Sequence, residues 1–393
     1  MKVRLCSQFL SGILFFLLVV ADSAYAAEKE EGLVSLFNGK DLKGWVIENG
    51  GWGAFTIDSG VIYSSPEFTY PCWLRSEKEY ENFDLRFEFR MEGWCNSGVF
   101  FHAPLYGRIS RAGFEFQIDH KTKEPITVKS CGAIFEVLPP KVFPPTNDVP
   151  IHSSGDWNTG RIVMDWPYLK AWINDVPAQD LNVEENEELK YRLRTGYLGL
   201  QALGYQCWFR NIRIKELPSK EEGKWISLYN GKNFDGWYIE ADENSKAKWT
   251  PLDGVIHAEG ATSYLVTKEE FENFELFTYV RTSANANGGI FIRWKQLKGG
   301  DRGNEIQIEN IPDSDYPTGS LYNIVRSIQP PYRDEEWFPM QIRVEGPNLV
   351  VRVNGEMVVK YNDLKIIRPG HISLQMHQKG TWEEFKDIKI KKL

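Results

Sequence analysis

Two short stretches of this chain place acid and amide side chains two residues apart: Glu305-Ile-Gln307-Ile-Glu309 and Glu115-Phe-Gln117-Ile-Asp119. A period of two is the strand period, which sends residues i, i+2 and i+4 to one face of a sheet. Ile306 and Ile308 then turn to a core, as do Phe114, Phe116 and Ile118. Glu305, Gln307 and Glu309 share the opposite face, and Glu115, Gln117 and Asp119 do the same. Carboxyls on a shared face can move protons, orient hydroxyls or ligate a cation. The paired carboxyls of a glycosidase stand about 5–5.5 Å apart for retention, or about 6.5–9.5 Å for inversion. Glu305 and Glu309 lie four residues apart, roughly 13 Å between Cα atoms at about 3.3 Å per residue. Gln307 between them cannot ionise. One strand therefore supplies no acid–nucleophile pair.

The preceding apolar run is expected to send Asn287, Gly289, Phe291 and Arg293 to one face, and Ile290, Ile292 and Trp294 to the core. A polar row beside a glycine and an arginine resembles a floor for a polyol. Ordinary solvated strand faces would look the same in one copy, and the return of the row in a second copy weakens that reading.

The row returns because the chain repeats itself. Ser35-Leu-Phe-Asn-Gly-Lys-Asp-Leu-Lys-Gly-Trp45 reappears as Ser227-Leu-Tyr-Asn-Gly-Lys-Asn-Phe-Asp-Gly-Trp237. Glu81-Asn82-Phe83 reappears as Glu272-Asn273-Phe274, and Asn96-Ser-Gly-Val-Phe-Phe-His102 as Asn287-Gly-Gly-Ile-Phe-Ile-Arg293. Solenoid repeats run roughly 20–50 residues, so a repeat this long is a duplicated domain. Domains are expected at 33–217 and 224–393, with Leu217 to Gly223 as the linking stretch and 218–223 as its boundaries. Within each copy, alternating runs such as Phe83–Arg90 are separated by turn signals at Asp58-Ser-Gly60, Asn174-Asp175 and Asn354-Gly355. Helical periodicity is scarce. The fold class expected is all-β, an antiparallel sandwich or jelly roll in each copy.

The chain has 393 residues and a formal net charge of −8, with no Lys/Arg-rich run. A nucleic-acid partner is not expected. Lys2 and Arg4, the apolar stretch Phe9 to Val20, and Ala24-Tyr25-Ala26 have the order of a secretory signal. Cleavage after Ala26 and a bacterial periplasmic or secreted location are expected, without an integral membrane segment. Cys72, Cys95, Cys131 and Cys207 then permit two disulfides, in any of three pairings.

Taken together, these landmarks resemble the 3-keto-disaccharide hydrolase domain family, also described as domain of unknown function 1080. The matching pieces are the opening Leu-Phe/Tyr-Asn-Gly-Lys…Gly-Trp, the Asn-x-Gly-hydrophobic-Phe strand, Glu-x-Gln-x-Asp/Glu, the glycines at 132 and 319, and the closing Leu-Gln with Phe-x-Asn/Asp-Ile. The resemblance implies tandem concanavalin A-like sandwiches and an activity on glycosides oxidised at C3. A ketone at C3 acidifies the C2 proton. A base can remove it, the C1 substituent can leave, and water can add back.

The resemblance assigns roles residue by residue. The second copy keeps Leu374-Gln375-Met376-His377, whereas the first reads Leu200-Gln201-Ala202-Leu203. Glu305 or His377 is the implied base or acid, and Arg293 and Gln307 orient hydroxyls or the ketone. Glu115 is the corresponding carboxyl of the first copy. Asn287, Gln117 and His102 are candidate substrate contacts. Glu309, Asp119 and His120 are candidate ligands of a divalent cation, and no organic cofactor is expected. The second copy is expected to hold the better preserved site. A non-catalytic pair of carbohydrate-binding modules and a conventional glycoside hydrolase are the competing readings.

Overall fold

The computed structural model describes residues 32–120, 125–141, 151–152, 154–241, 245–297, 301–328 and 332–393. The expected signal segment, 1–26, lies outside them. Val34 to Leu393 form one compact unit that contains two β-sandwiches. All strand pairings in it are antiparallel. The one α-helix among the described residues is the four-residue turn Ile109–Ala112.

Each copy pairs a large sheet with a five-stranded one. In the first copy the small sheet runs Trp45–Glu48, Trp73–Tyr80, Gly196–Gln201, Asn96–Ala103, Phe114–Asp119. In the second it runs Trp237–Ala241, Ser263–Phe271, Gly370–Met376, Asn287–Trp294, Asn304–Glu309. The order is the same. Alternation sets the cores. Phe83, Leu85, Phe87 and Phe89 of the first copy's large sheet meet Phe114, Phe116 and Ile118 of its small sheet. Leu276, Met340 and Ile342 meet Ile290, Ile306 and Ile308 in the second. Each such side chain contributes about 1.5–3 kcal/mol on full burial, so a one-residue slip of register is strongly opposed. The turns follow their residues: Asn174-Asp175 and Asn354-Gly355 all take positive φ, as a two-residue hairpin turn requires.

Three expectations are corrected. The four cysteines are free, and all are buried in the first sandwich. They behave as small apolar side chains, and burial pushes the Cys131 thiol up to about 12. Strict alternation also fails at the end of the strand Asn287–Trp294. Its register with Gly370–Met376 shifts between Phe291 and Trp294, and Arg293 takes φ 57. This bulge turns Trp294 away from the main core, to pack with Tyr264, Val266 and Phe291 on the sheet's outer face. His102 repeats the feature at φ 47. Gly196 and Gly370 make room for the bulges, because a Cβ on either would lie 2.4 Å from the carbonyl carbon of His102 or Arg293.

The third correction concerns Arg293 and His102 themselves. The Arg293 guanidinium is buried and donates to the carbonyls of Ile366 (2.6 Å) and Glu272 (2.9 Å). The His102 ring nitrogens lie 2.9 Å from the Leu193 carbonyl and 2.6 Å from that of Glu81. Burial holds this imidazole down to about 4. Both residues tie a bulge to neighbouring loops, and neither reaches the polar row.

Candidate functional site

The outer face of the second copy's small sheet is a grid set by strand register. Glu309 lies opposite Asn287, Gln307 opposite Gly289, and Glu305 opposite Phe291. On the next strand Gln375 lies opposite Gly289 and Ser373 opposite Phe291. The His377 amide donates to the Asn287 carbonyl at 3.0 Å, which extends the first row. Asn287, Glu305, Gln307, Glu309, Gln375 and His377 line one open hollow of about 430 Å³. The turn Tyr322-Asn323-Ile324 and the exposed Arg302 complete its lining.

The glycine of the Asn-x-Gly motif now has a physical reason. A Cβ on Gly289 would sit 2.7 Å from Glu305 Oε1. The carboxyl therefore lies over bare backbone at the middle of the floor. Burial raises the Glu305 carboxyl to about 8, the charge of Arg302 lowers it, and that of Glu309 raises it. A carboxyl in that range is suited to giving or taking a proton near neutral pH.

Gln307 is fully buried at the floor. It donates to Asn287 Oδ1 at 3.4 Å, and its own Oε1 has no partner. A buried acceptor without a donor costs about 1–3 kcal/mol, and a sugar hydroxyl lying in the hollow would supply that donor. Glu309 is already engaged: Asn287 Nδ2 donates to Oε1 at 2.6 Å and Ser314 Oγ donates to Oε2. His377 is exposed, with Nδ1 3.0 Å from Thr262 Oγ1. Strand spacings of about 4.8 Å and rises of about 3.3 Å put the Glu305 and His377 Cα atoms roughly 16 Å apart, at diagonal corners. A ring over Gly289 would lie between them.

The divalent-cation expectation does not fit these groups. Both Glu309 oxygens accept hydrogen bonds from neutral donors. His120 Nδ1 donates to the Cys95 carbonyl at 2.9 Å and lies 3.5 Å from Asp119. Among the described residues, no three His, Cys, Asp or Glu side chains converge as a ligand set.

The first copy repeats the register, with Asn96 opposite Asp119, Gly98 opposite Gln117 and Phe100 opposite Glu115. Its outcome is different. Ile109, on the short helix, packs against Trp73, Phe100 and Ala103 on the outer face. Arg108 and Arg111 at this helix pair with Glu136 and with Glu356 of the second sandwich. Asn354 Oδ1 accepts from the Arg108 amide at 2.7 Å. Glu115 is fully buried over Gly98, and burial lifts it to about 8. It does not line the first copy's hollow beside Asn96. What stays open is the other end of the row, a hollow of about 360 Å³ beside Asn96, Asp119 and His120.

Of the residues proposed from sequence, the structure thus gathers Asn287, Glu305, Gln307, Glu309 and His377. Asn96, Asp119 and His120 meet in the first copy. Arg293, His102, Glu115 and Gln117 lie outside both hollows. Gln375 and Tyr322 were not proposed as site residues; the Leu-Gln-x-His motif contained the signal for the former, and nothing local marked the latter.

Two antiparallel sandwiches, each with a polar row on the outer face of its smaller sheet, define a tandem β-sandwich protein. Residues 32–215 and 224–391 match the 3-keto-alpha-glucoside-1,2-lyase-like domain, and the chain belongs to that family in two copies. A 3-keto-disaccharide hydrolase of Bacteroides thetaiotaomicron is 26% identical over 178 residues, covering 37% of this chain and 61% of that protein. Among solved structures, a Parabacteroides distasonis protein with a provisional glycosyl hydrolase name is 24% identical, with a TM-score of 0.42. It covers 49% of this chain and 97% of its own. The carbohydrate-binding module CBM66 of Bacillus subtilis is 12% identical at a TM-score of 0.32, covering 41% of this chain and 98% of its own.

Proposed function

We propose that the second sandwich cleaves 3-keto-glycosides, with Glu305 as the proton-transferring group. The reading rests above all on one observation: a carboxyl raised to about 8 by burial lies over bare backbone, in the middle of a sugar-sized polar hollow. Glu305 in its carboxylate form takes the C2 proton, and the electron pair moves toward the C3 ketone oxygen. In this reading Gln307 Oε1 accepts from a ring hydroxyl, and the amide N–H groups of Gln307 and Gln375 left over from their bonds to Asn287 and Tyr264 donate to that oxygen. The C1–O bond then breaks, and His377 gives the departing oxygen its proton. Addition of water across the C1–C2 double bond completes a net hydrolysis; without it the product is the unsaturated ketone. The spacing supports this route over paired-carboxylate glycosidase chemistry, because Glu309 stands roughly 13 Å along the strand and is held by Asn287 and Ser314.

The amino-terminal pattern supports a periplasmic or secreted location. Fractionation with sequencing of the mature end tests that: a chain beginning at Ala27 is expected, and an uncleaved cytoplasmic chain would reject it. For the chemistry, the purified chain is incubated with a 3-keto-glucoside and with the same glucoside unoxidised. Release of the aglycone from the keto compound alone is expected. Equal turnover of both, or none of either, would overturn the proposal.

A further inference from the structure

The first sandwich has lost the parts that would do chemistry and kept an opening. Leu203 stands where the second copy has His377, and Glu115 is sealed. Yet Asn96, Asp119, His120, Ser130 and Tyr205 surround a hollow of about 360 Å³ with Trp94 at its edge, within the roughly 300–1,000 Å³ range of small-ligand sites.

Three observations specify its ligand. Trp94 is 70% exposed, where Trp73 and Trp294 are buried completely; Trp52 is more exposed still, and what sets Trp94 apart is its place on the lining of a hollow. Its ring packs against the His120 ring at 4.4 Å between centroids, which holds the indole at the edge of the hollow. The equivalent positions of the second copy, Asn285 and Asn310, carry no ring; His120 and Asn310 both bond the carbonyl of the residue just before the motif asparagine. An aromatic platform has therefore been placed in the copy without a working acid and base.

The polar lining supplies both donors and acceptors. Asn96 Oδ1 accepts from Gln117 Nε2 at 3.0 Å, and Gln117 is wholly buried, so the amide at the floor is fixed in advance. Among the described lining residues, Asp119 and Lys129 give one charge of each sign. A flat apolar face, fixed amides and hydroxyls, and this balance of charge together favour an uncharged, polyhydroxylated ring. A nucleotide or an acidic peptide would need an excess of positive charge that the described lining does not have.

We propose that this hollow is a non-catalytic sugar-binding site, in which one ring of a glycan stacks on Trp94 while its hydroxyls meet Asn96, Asp119 and Ser130. The site goes beyond the chemistry assigned to the second sandwich and does not depend on it. In that arrangement one copy holds the carbohydrate and the other acts on it.

The test is calorimetric titration of the full chain with glucose, maltose and cellobiose, repeated with Gln307→Ala to weaken the second hollow. A site that persists in Gln307→Ala is expected. Trp94→Ala should weaken it at least tenfold, whereas Trp94→Phe should stay within about threefold. In the unaltered chain, the best of these sugars should also slow oxidation of Trp94 by N-bromosuccinimide at least threefold, read by mass spectrometry of the Trp94 peptide. That readout stands even if the alanine variant folds poorly. Absence of any Trp94-dependent site for all three sugars, or full reactivity of Trp94 at saturating sugar, would overturn the proposal. If the second sandwich is not a catalyst, aglycone release fails while the Trp94-dependent site remains.

Discussion

The two sandwiches carry the same polar row at the same register and put it to opposite ends. In the second, Glu305 looks out over Gly289 into open space. In the first, Glu115 lies over Gly98 in the same way and is closed in. The difference does not lie in the strands. It lies in what arrives from elsewhere: Ile109 on a one-turn helix, and the arginine–glutamate lattice that joins Arg108 and Arg111 to Glu356. Around it, Leu193, Leu105 and Tyr106 pack against Phe277, Tyr279 and Trp337. The outer face of the first copy's small sheet is thus an interface with the outer face of the second copy's large sheet. The same inherited row serves packing in one place and a hollow in the other.

The sharpest way to break this contrast is to neutralise each carboxyl in turn. Glu305→Gln should lower turnover of a 3-keto-glucoside by about 10²–10⁴-fold, the usual range for loss of a general base. Glu115→Gln should leave it within about twofold. Comparable losses in both would show that the first row is not closed after all. Gly289→Ala comes next: the added methyl displaces Glu305 and should reduce kcat/KM at least tenfold. Gly98→Ala should instead destabilise the fold by about 1–3 kcal/mol, read by denaturant unfolding, because the crowding there is in a packed interior.

The sealed carboxyl also has a signature in pH. Glu115 titrates at about 8 when folded and near the ordinary carboxyl value of about 4.3 when unfolded. Between those values the folded chain keeps a proton that the unfolded chain releases, so its contribution to stability is greatest below about pH 4.5 and falls as pH rises toward 8. Glu115→Gln should remove that fall, a gain over the parent on the order of 4–5 kcal/mol at pH 8.5 with little change at pH 4.5. Thermal melts across that span decide it. The smallest effect concerns the exposed neighbour of the open site. With Glu305 acting as a carboxylate base, kcat/KM should rise with pH through about 8. Because the charge of Arg302 lowers the Glu305 pKa, Arg302→Gln should move that rise upward by roughly a few tenths of a pH unit. A downward move would deny the coupling.

Much of this was legible before any coordinates. Side chains alternate strictly along a strand, so Ile306 and Ile308 alone settle that Glu305, Gln307 and Glu309 face away from the core. The repeated Asn-Gly-Lys…Gly-Trp motif announced two copies of one fold. What escaped depends on irregularity and on distance in the chain. One bulge at Arg293 reversed the expected direction of Trp294 and removed Arg293 from the polar row. No local pattern marks Glu356 or Asn354 as partners of Arg108, since some 246–248 residues separate them. Tyr322 entered the site through a turn whose neighbours give no chemical signal.

The way the halves meet has a direction, because the front of one rests on the back of the next rather than front on front. Such head-to-tail contacts are not self-complementary as a twofold contact is: they end in a ring where the rotation closes and run on as an open array where it does not. A chain built by further duplication on this plan could lengthen link by link, each newcomer shutting the window of its predecessor. Only the last link would keep its counterpart of Glu305 open to the solvent, so growth of this kind would add scaffold and side hollows while leaving a single face for proton transfer.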